Sequence, residues 1–345
     1  MLDFEKNVNN YPHLVILGAG ASKACCPNDD KNGKTLPVMN DLIDILELNE
    51  LLKKHGYNVT EKNFEKMYSI IYKDNNENLL KEIEYRVRNY FSKLEISDKV
   101  TIYDLLISFL RKKDVIVSFN WDPLLIQAFK RNHFHSNMPN MIFLHGNVEL
   151  GVCYQCKNIN YINLSCGICG KDLTPSKLLF PIINKNYTKD PYIKNNWELL
   201  KDYIEKAYFI TIFGYSAPDT DVEAINIMNN IWNENNLKDM AEIEIIDIKS
   251  EKELHETWND FIVRSHFSTK KTFYESWLCQ HPRRTCEAHS SIYMMNDPKW
   301  EIQNFQKAKN INSLHKLKKI INPLIKEENE YDNTDKKFDP KRQLF

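Results

Sequence analysis

Five short apolar runs, at 13–17, 114–119, 141–144, 208–213 and 242–248, constrain this chain more than any other feature. Each is bounded by glycine, a charge or a turn residue, and each leads into polar or helix-patterned sequence. Runs of this length read as buried strands. Their alternation with helices predicts an α/β fold with a parallel sheet covered on both faces. Every run but the last ends in a segment of special chemistry: GAGAS, SFNWD, LHG and FGYSAPDTD. Ligands of an open parallel sheet bind beyond the carboxyl ends of its strands, so these four segments are expected to converge on one cleft.

The space between the first and second runs, 41–113, is too long for a plain crossover. Leu42, Ile45 and Leu46, then Leu79, Ile83 and Val87, recur at helical spacing there, which predicts a helical insert. Residues 251–330 read as further helices, with Leu254, Trp258, Phe261 and Ile262 on one face. The charged end, 331–345, reads as a flexible tail. A catalytic domain over 1–250 with a C-terminal helical region is therefore expected.

Lys plus Arg number 46 and Asp plus Glu 47. That balance argues against nucleic acid as the main partner, which would select a basic surplus. No apolar run is long enough to span a membrane, and the opening MLDFEKNVNNYPH lacks the apolar centre of a secretory signal, so a cytoplasmic chain is expected.

Glycine is only 9 of 345 residues, so each one is expected where the backbone requires it. After the first run, Gly18, Ala19, Gly20, Ala21 and Ser22 form a turn into a helix. Such a turn can approach a pyrophosphate and offer it helix N–H groups, although a bare strand-to-helix turn also fits and Lys23 replaces the third glycine of the dinucleotide fingerprint. Cys153 and Cys156, then Cys166 and Cys169, are paired CxxC knuckles. Four thiolates at this spacing close around one tetrahedral Zn²⁺ and leave no open position, which predicts a structural zinc module over 148–178. Cys25 and Cys26 read as packing.

Asn120, Asp122 and His145 place an amide, a carboxylate and an imidazole at strand ends, a usable acid–base set. Singly each is weak, because asparagine numbers 39 in this chain and a lone histidine is more often structural. Asp219, in Pro218, Asp219, Thr220, Asp221, reads as a helix cap.

In order, GAGAS, the Asn-x-Asp of SFNWD, HG, the paired CxxC knuckles and GYS resemble the Sir2 family over roughly residues 13–250. The resemblance implies a Rossmann-like domain that cleaves the nicotinamide–ribose bond of NAD⁺, with Zn²⁺ structural in an inserted ribbon. Residue by residue, Gly18, Ala19, Gly20 and Ser22 match the pyrophosphate loop. Asn120 matches the residue that holds water by the nicotinamide ribose, and Asp122 the one near the carboxamide. His145 matches the base, Gly214 and Ser216 the later phosphate and ribose contacts. Asp247 stands where the family has Asn at the adenosine ribose.

Three departures select a branch. Phe119 stands where deacetylating sirtuins have Gln. Leu36, Pro37, Val38, Met39, Asn40 and Asp41 replace their Pro-Asp-Phe-Arg run. Leu179, Phe180, Pro181 and Ile182 replace the Phe-Gly-Glu strand that clamps an acyl-lysine peptide, and a proline cannot donate to such a ladder. The LPVMNDL and GYSAPDTD forms resemble the Sir2-like NADases of bacterial anti-phage defence, in which water attacks the ribose and NAD⁺ depletion stops the infected cell. The alternatives are a lysine deacylase or ADP-ribosyltransferase, and a module that senses NAD without cleaving it. An unregulated NADase would kill its host, so control by homo-oligomerisation or by a separate sensor or activator subunit is expected. Trp277, His281, Pro282, Arg283, Arg284 and Cys286 offer a candidate contact surface, or a helix–turn–helix with two surface arginines.

Overall fold

The computed structural model describes residues 8–133, 137–182, 187–263, 265–294 and 305–331. Its strands are β1 (His13–Leu17), β2 (Val115–Ser118), β3 (Asn140–Phe143), β4 (Leu150–Cys153), β5 (Asn158–Tyr161), β6 (Thr174–Pro175), β7 (Phe209–Phe213), β8 (Glu242–Ile246) and β9 (His266–Lys270). Six of them form a parallel sheet in the order β3-β2-β1-β7-β8-β9. The five apolar runs supply its first five strands. The chain works outward from β1 to β3 on one side and from β7 to β9 on the other. That is the doubly wound order, and its direction reverses between β1 and β7, where a crevice opens at the carboxyl ends.

Helices on both faces explain why β1, β2 and β7 lack polar alternation, while β8 buries Glu242 and Glu244 beside its isoleucines. Leu14, Val15, Ile16 and Leu17 are all fully buried, as are most residues of β2, β7 and β8. Truncating one, as in Ile16→Ala, costs about 2–5 kcal/mol in such a core.

The insert predicted over 41–113 is helical. Asn63 accepts a bond from the Lys66 N–H and caps the helix Phe64–Lys73, which buries Phe64, Met67, Tyr68 and Ile71. Asn76 caps Glu77–Phe91, which buries Leu79, Leu80, Ile83, Val87 and Phe91. These spacings of three and four residues face each helix into the core. The third long helix, Ile102–Phe109, opens on a capping box of Thr101 and Asp104 and is buried all round.

Two expectations for the C-terminal region fail. Residues 251–330 are not all helical, because β9 extends the sheet beside β8. His266, Phe267, Ser268, Thr269 and Lys270 make an edge strand that is exposed or only half-buried, so the segment carries no apolar run by which to find it. Nor do Arg283 and Arg284 lie on a surface. Both are buried, and both bond Glu328 of the helix Leu314–Tyr331, at 2.7 and 2.6 Å. Arg283 also donates to the carbonyls of Ser108 and Leu110. The cluster that suggested a contact surface is instead an internal latch between the C-terminal helix and Ile102–Phe109. The tail expected over 331–345 lies outside the described residues beyond Tyr331. No helix among the described residues is long and apolar enough to cross a membrane.

Candidate active site

A cavity of about 460 Å³ opens at the reversal point, within the range of small-molecule and cofactor sites. Gly18, Ala19, Gly20, Asn120, His145, Gly214, Ser216 and Asp247 line it, together with Val38 and Met39 just before the insert and Glu65 within it. Asp122 and Ser22 do not. They line a side pocket of about 60 Å³ that shares Ala19, Asn120 and His145 with the main cavity.

The glycines are explained first by the chain itself. A Cβ on Gly18 would lie 2.5 Å from the Gly214 carbonyl oxygen, and one on Gly20 would lie 2.8 Å from the Gly214 Cα. Gly214 has φ +59°, and its Cβ would lie 2.3 Å from the Ala21 nitrogen. The loops after β1 and β7 therefore touch backbone to backbone, joined by Gly18 N–H to Phe213 and Gly20 N–H to Gly214. Ala21 N–H is turned back to the Gly18 carbonyl. With those three donors engaged, the Ala19 N–H is the one in this turn with no backbone partner outside the helix among the described residues.

Behind this loop lies a saturated hydrogen-bond chain. Ser22 Oγ donates to Asp122 Oδ2 at 2.6 Å and accepts from Asn120 Nδ2 at 2.9 Å. Its single proton is thus committed, so the Tyr103 hydroxyl, 2.8 Å away, donates to it. Ser22 has no capacity left for a phosphate. Asn120 Nδ2 also donates to the Gly18 carbonyl at 2.8 Å, which fixes the amide orientation and leaves Oδ1 as the group offered to the cavity. Asp122 accepts from Leu124 N–H as well, and burial pushes its carboxyl above the usual range. It is a fixture of the wall that holds Ser22, and Ser22 and Gly18 hold Asn120.

His145 follows β3 at a turn that only glycine completes. Gly146 has φ +77°, and a Cβ there would lie 1.9 Å from the Lys177 carbonyl oxygen. The buried Asn147 locks the same turn by donating to the Asp122 carbonyl at 2.7 Å. The imidazole lies in an aromatic box, with Phe119 edge-on at 4.9 Å and Tyr187 parallel at 6.4 Å. Phe119 in turn stacks on Tyr215 at 4.1 Å and 7°. Beyond the ring, His145 Nε2 stands 3.8 Å from Asp221 Oδ1, and the Tyr215 hydroxyl donates to Asp221 Oδ2 at 2.9 Å.

Asp221, Tyr215, Tyr187 and Asn147 were not identified from the sequence as site residues. Asp221 is the instructive one. It occupies the N-cap position of the helix Val222–Asn233 yet makes no side-chain cap bond. A cap aspartate ordinarily contributes about 1 kcal/mol through that bond, and the pattern PDTD signals nothing else. Asp247, half-buried at the end of β8, accepts from Lys249 N–H and edges the cavity, while Ser216 is exposed at its rim.

The four cysteines come together on a small antiparallel sheet ordered β5-β4-β6. Their Sγ atoms all lie within 4.8 Å of one another, and Cys153 and Cys169 are 3.7 Å apart. A tetrahedron with Zn–S bonds of about 2.3 Å has edges of about 3.8 Å, so the donor set and its size fit Zn²⁺. Gly170 takes φ +71° in the second knuckle, and its N–H bonds the Cys166 carbonyl. The N–H groups of Cys169 and Ile168 hold the Cys166 thiol down to about 6, toward the thiolate a metal needs.

No family model matches the chain, and no curated protein matches it. Among solved structures it is similar to a mutant Sir2 with a deacetylated p53 peptide and 3′-O-acetyl ADP-ribose, at 13% identity over 86% of this chain and 98% of that one, TM-score 0.38. It is similar also to a Sir2 homologue–NAD complex, at 14% identity over 89% and 94%, TM-score 0.34. A mutant Sir2 homologue–ADP-ribose complex gives 14% identity over 90% and 98%, TM-score 0.38. At such scores the likeness establishes neither family nor reaction.

Proposed function

We propose that this chain is a Sir2-like NAD⁺ hydrolase that cleaves the nicotinamide–ribose bond. The observation that carries the reading is the pairing of the Asn120 amide oxygen and the His145 imidazole on one cavity, at the reversal point of the sheet and beside two interlocked glycine loops. Nicotinamide leaves as a cation-derived neutral base, so the transition state resembles a ribosyl oxocarbenium ion. Asn120 Oδ1 orients the attacking water. As the C1′–N bond breaks, its electron pair returns to the pyridine nitrogen, while the water oxygen bonds C1′ and its proton passes to His145 and then to solvent. The products are ADP-ribose, nicotinamide and a proton, and a positioned base supplies about 10²–10⁴-fold of the rate. Ala19 N–H and the rim residues Ser216 and Asp247 are assigned to the phosphate and adenosine-ribose end. Zinc, where bound, holds the ribbon and takes no part at the reacting carbon.

Hydrolysis is preferred to deacylation because the segment that would clamp a peptide is occupied by the chain itself. The Pro181 carbonyl accepts from Ser69 Oγ at 3.0 Å, and Phe180 stacks on Tyr68 at 5.0 Å. Both partners belong to the helix Phe64–Lys73. The LPVMNDL and GYSAPDTD forms extend the proposal to NAD⁺ depletion in anti-phage defence, released by assembly or by a separate sensor subunit.

The test is NAD⁺ loss with product identification for wild type, Asn120→Ala and His145→Ala, beside an acyl-lysine peptide assay. Hydrolysis in the wild type that is lost in both variants supports the reading. Peptide deacylation without free hydrolysis overturns it.

A further inference from the structure

We propose that Asp221 is the positioning residue of His145, forming a carboxylate–imidazole pair that neutralises the imidazolium created when the base takes its proton. Three independent features of the fold point to this. Both side chains are almost wholly enclosed, 7% and 5% exposed, with Nε2 and Oδ1 3.8 Å apart. A charge formed in an aromatic box of Phe119, Tyr187 and Trp197 has little water to stabilise it, and an opposite charge at this range favours the protonated form.

Second, Asp221 is aimed rather than merely near. The Tyr215 hydroxyl holds Oδ2 at 2.9 Å, and Tyr215 is itself clamped by its 4.1 Å stack on Phe119. The loop is tied down from the other side by Thr220 Oγ1, which donates to Glu65 Oε2 at 3.2 Å. Third, the residue stands at a helix N-cap without capping it. In place of a cap bond its Oδ2 accepts from Tyr215, and its Oδ1 faces the imidazole of a different loop at 3.8 Å. The 3.8 Å gap exceeds a hydrogen bond, as catalytic contacts often do before substrate binds, and it closes when the imidazole carries the second proton.

Among the described residues, Asp221 and Tyr187 face the ring of His145, Asp122 shares its side pocket, Glu65 and Asp247 share its cavity, and Tyr215 and Glu223 act on Asp221 and Tyr187 in turn. Burial, then Asp221, drives Tyr187 above the ordinary phenol range, so it stays a neutral wall. Removing Asp221 therefore removes the carboxylate that stands 3.8 Å from the ring.

The inference rests on the hydrolase reading only for its kinetic half, and the test separates the two. The ionisation of His145 is followed by NMR in the ligand-free full chain, its resonance identified by its loss in His145→Ala. Asp221→Asn should lower the midpoint by about 1–2 pH units, the range of a neighbouring opposite charge, while Asp221→Glu stays near wild type. Asp221→Ser repeats the measurement should the amide disturb folding. In NAD⁺ hydrolysis, Asp221→Asn should lower kcat about 10–100-fold and move the ascending limb of the pH profile to lower pH by the same interval. An unmoved midpoint in a variant that melts like wild type overturns the pairing, as does a lower kcat with an unmoved limb. A shifted midpoint in a wild type that cleaves no NAD⁺ sustains the pairing and sinks the hydrolase reading.

Discussion

Glu328 is the best place to test the latch that the C-terminal helix forms. Its carboxylate is fully buried and accepts from Arg283 Nε and Nη2 at 2.7 Å, from Arg284 Nη1 at 2.6 Å and from Asn137 Nδ2 at 2.7 Å. Burial alone would raise its pKa. Hydrogen bonding and charge from Arg283, then the charges of Arg111 and Arg284, win and hold it down to about 2. Against the ordinary 4.5 this is a depression of about 2.5 units, which at 1.36 kcal/mol per unit is roughly 3 kcal/mol of native-state stability. Glu328→Gln keeps the shape and removes the charge. With about 2.1 cal/mol/K of unfolding entropy per residue, roughly 3 kcal/mol lowers the melting temperature of a chain this size by about 4–5 °C.

The pH dependence gives the sharper check. A depressed carboxylate stabilises the fold above its unfolded pKa, and the contribution is lost as pH falls from about 4.5 through 2. The gap between wild type and Glu328→Gln should therefore be full at neutral pH and close over that interval. Thermal melts followed by far-UV circular dichroism between pH 7.5 and 2.5 measure it. A neutral-pH difference under about 1 °C, or one that persists undiminished in acid, refutes the reasoning.

Gly214→Ala should cost about 2–4 kcal/mol, because the left-handed φ is strained for alanine and the new methyl meets backbone that cannot move aside. A melting temperature within about 1 °C of wild type would show that the two glycine loops do not touch. Asn120→Ala and His145→Ala should each reduce NAD⁺ hydrolysis by about 10²–10⁴-fold at unchanged secondary structure, since neither is part of the sheet. Stripping metal with a strong chelator should release one zinc per chain by elemental analysis and unfold the β4–β6 ribbon, because four thiolates left without a cation have no other reason to stay within 4.8 Å. Full retention of the fold with no zinc detected before treatment would dismiss the metal site.

The interlocked glycines, the Ser22 chain and the latch are consistent with one another. Arg283 grips the end of Ile102–Phe109 at Ser108 and Leu110, and the start of the same helix carries Tyr103 to Ser22. The wall behind Asn120 is thus held at its far end by the C-terminal helix. What looked in the sequence like an unusual exposed cluster is part of the frame of the site.

Sequence alone determined five of the sheet's six strands and the segments at their carboxyl ends. Short apolar runs have one economical use, burial between helices, and each run carries its own turn chemistry with it. Gly18, Gly20, Asn120, His145, Gly214 and the four cysteines were therefore legible, being adjacent in sequence to the strand or knuckle that positions them. The edge strand β9 was not, since hydrogen bonding to β8 creates it and its composition leaves no apolar trace. Asp221 was hidden for a related reason. An aspartate at a helix start has a local role sufficient to explain it, and only the fold brings it within 3.8 Å of a histidine 76 residues away. Arg283 and Arg284 carried the opposite hazard, because charge in a sequence reads as surface. Their partners Glu327 and Glu328 lie more than 40 residues on, and burying a charge becomes tolerable only once tertiary structure has brought its counter-charge into place.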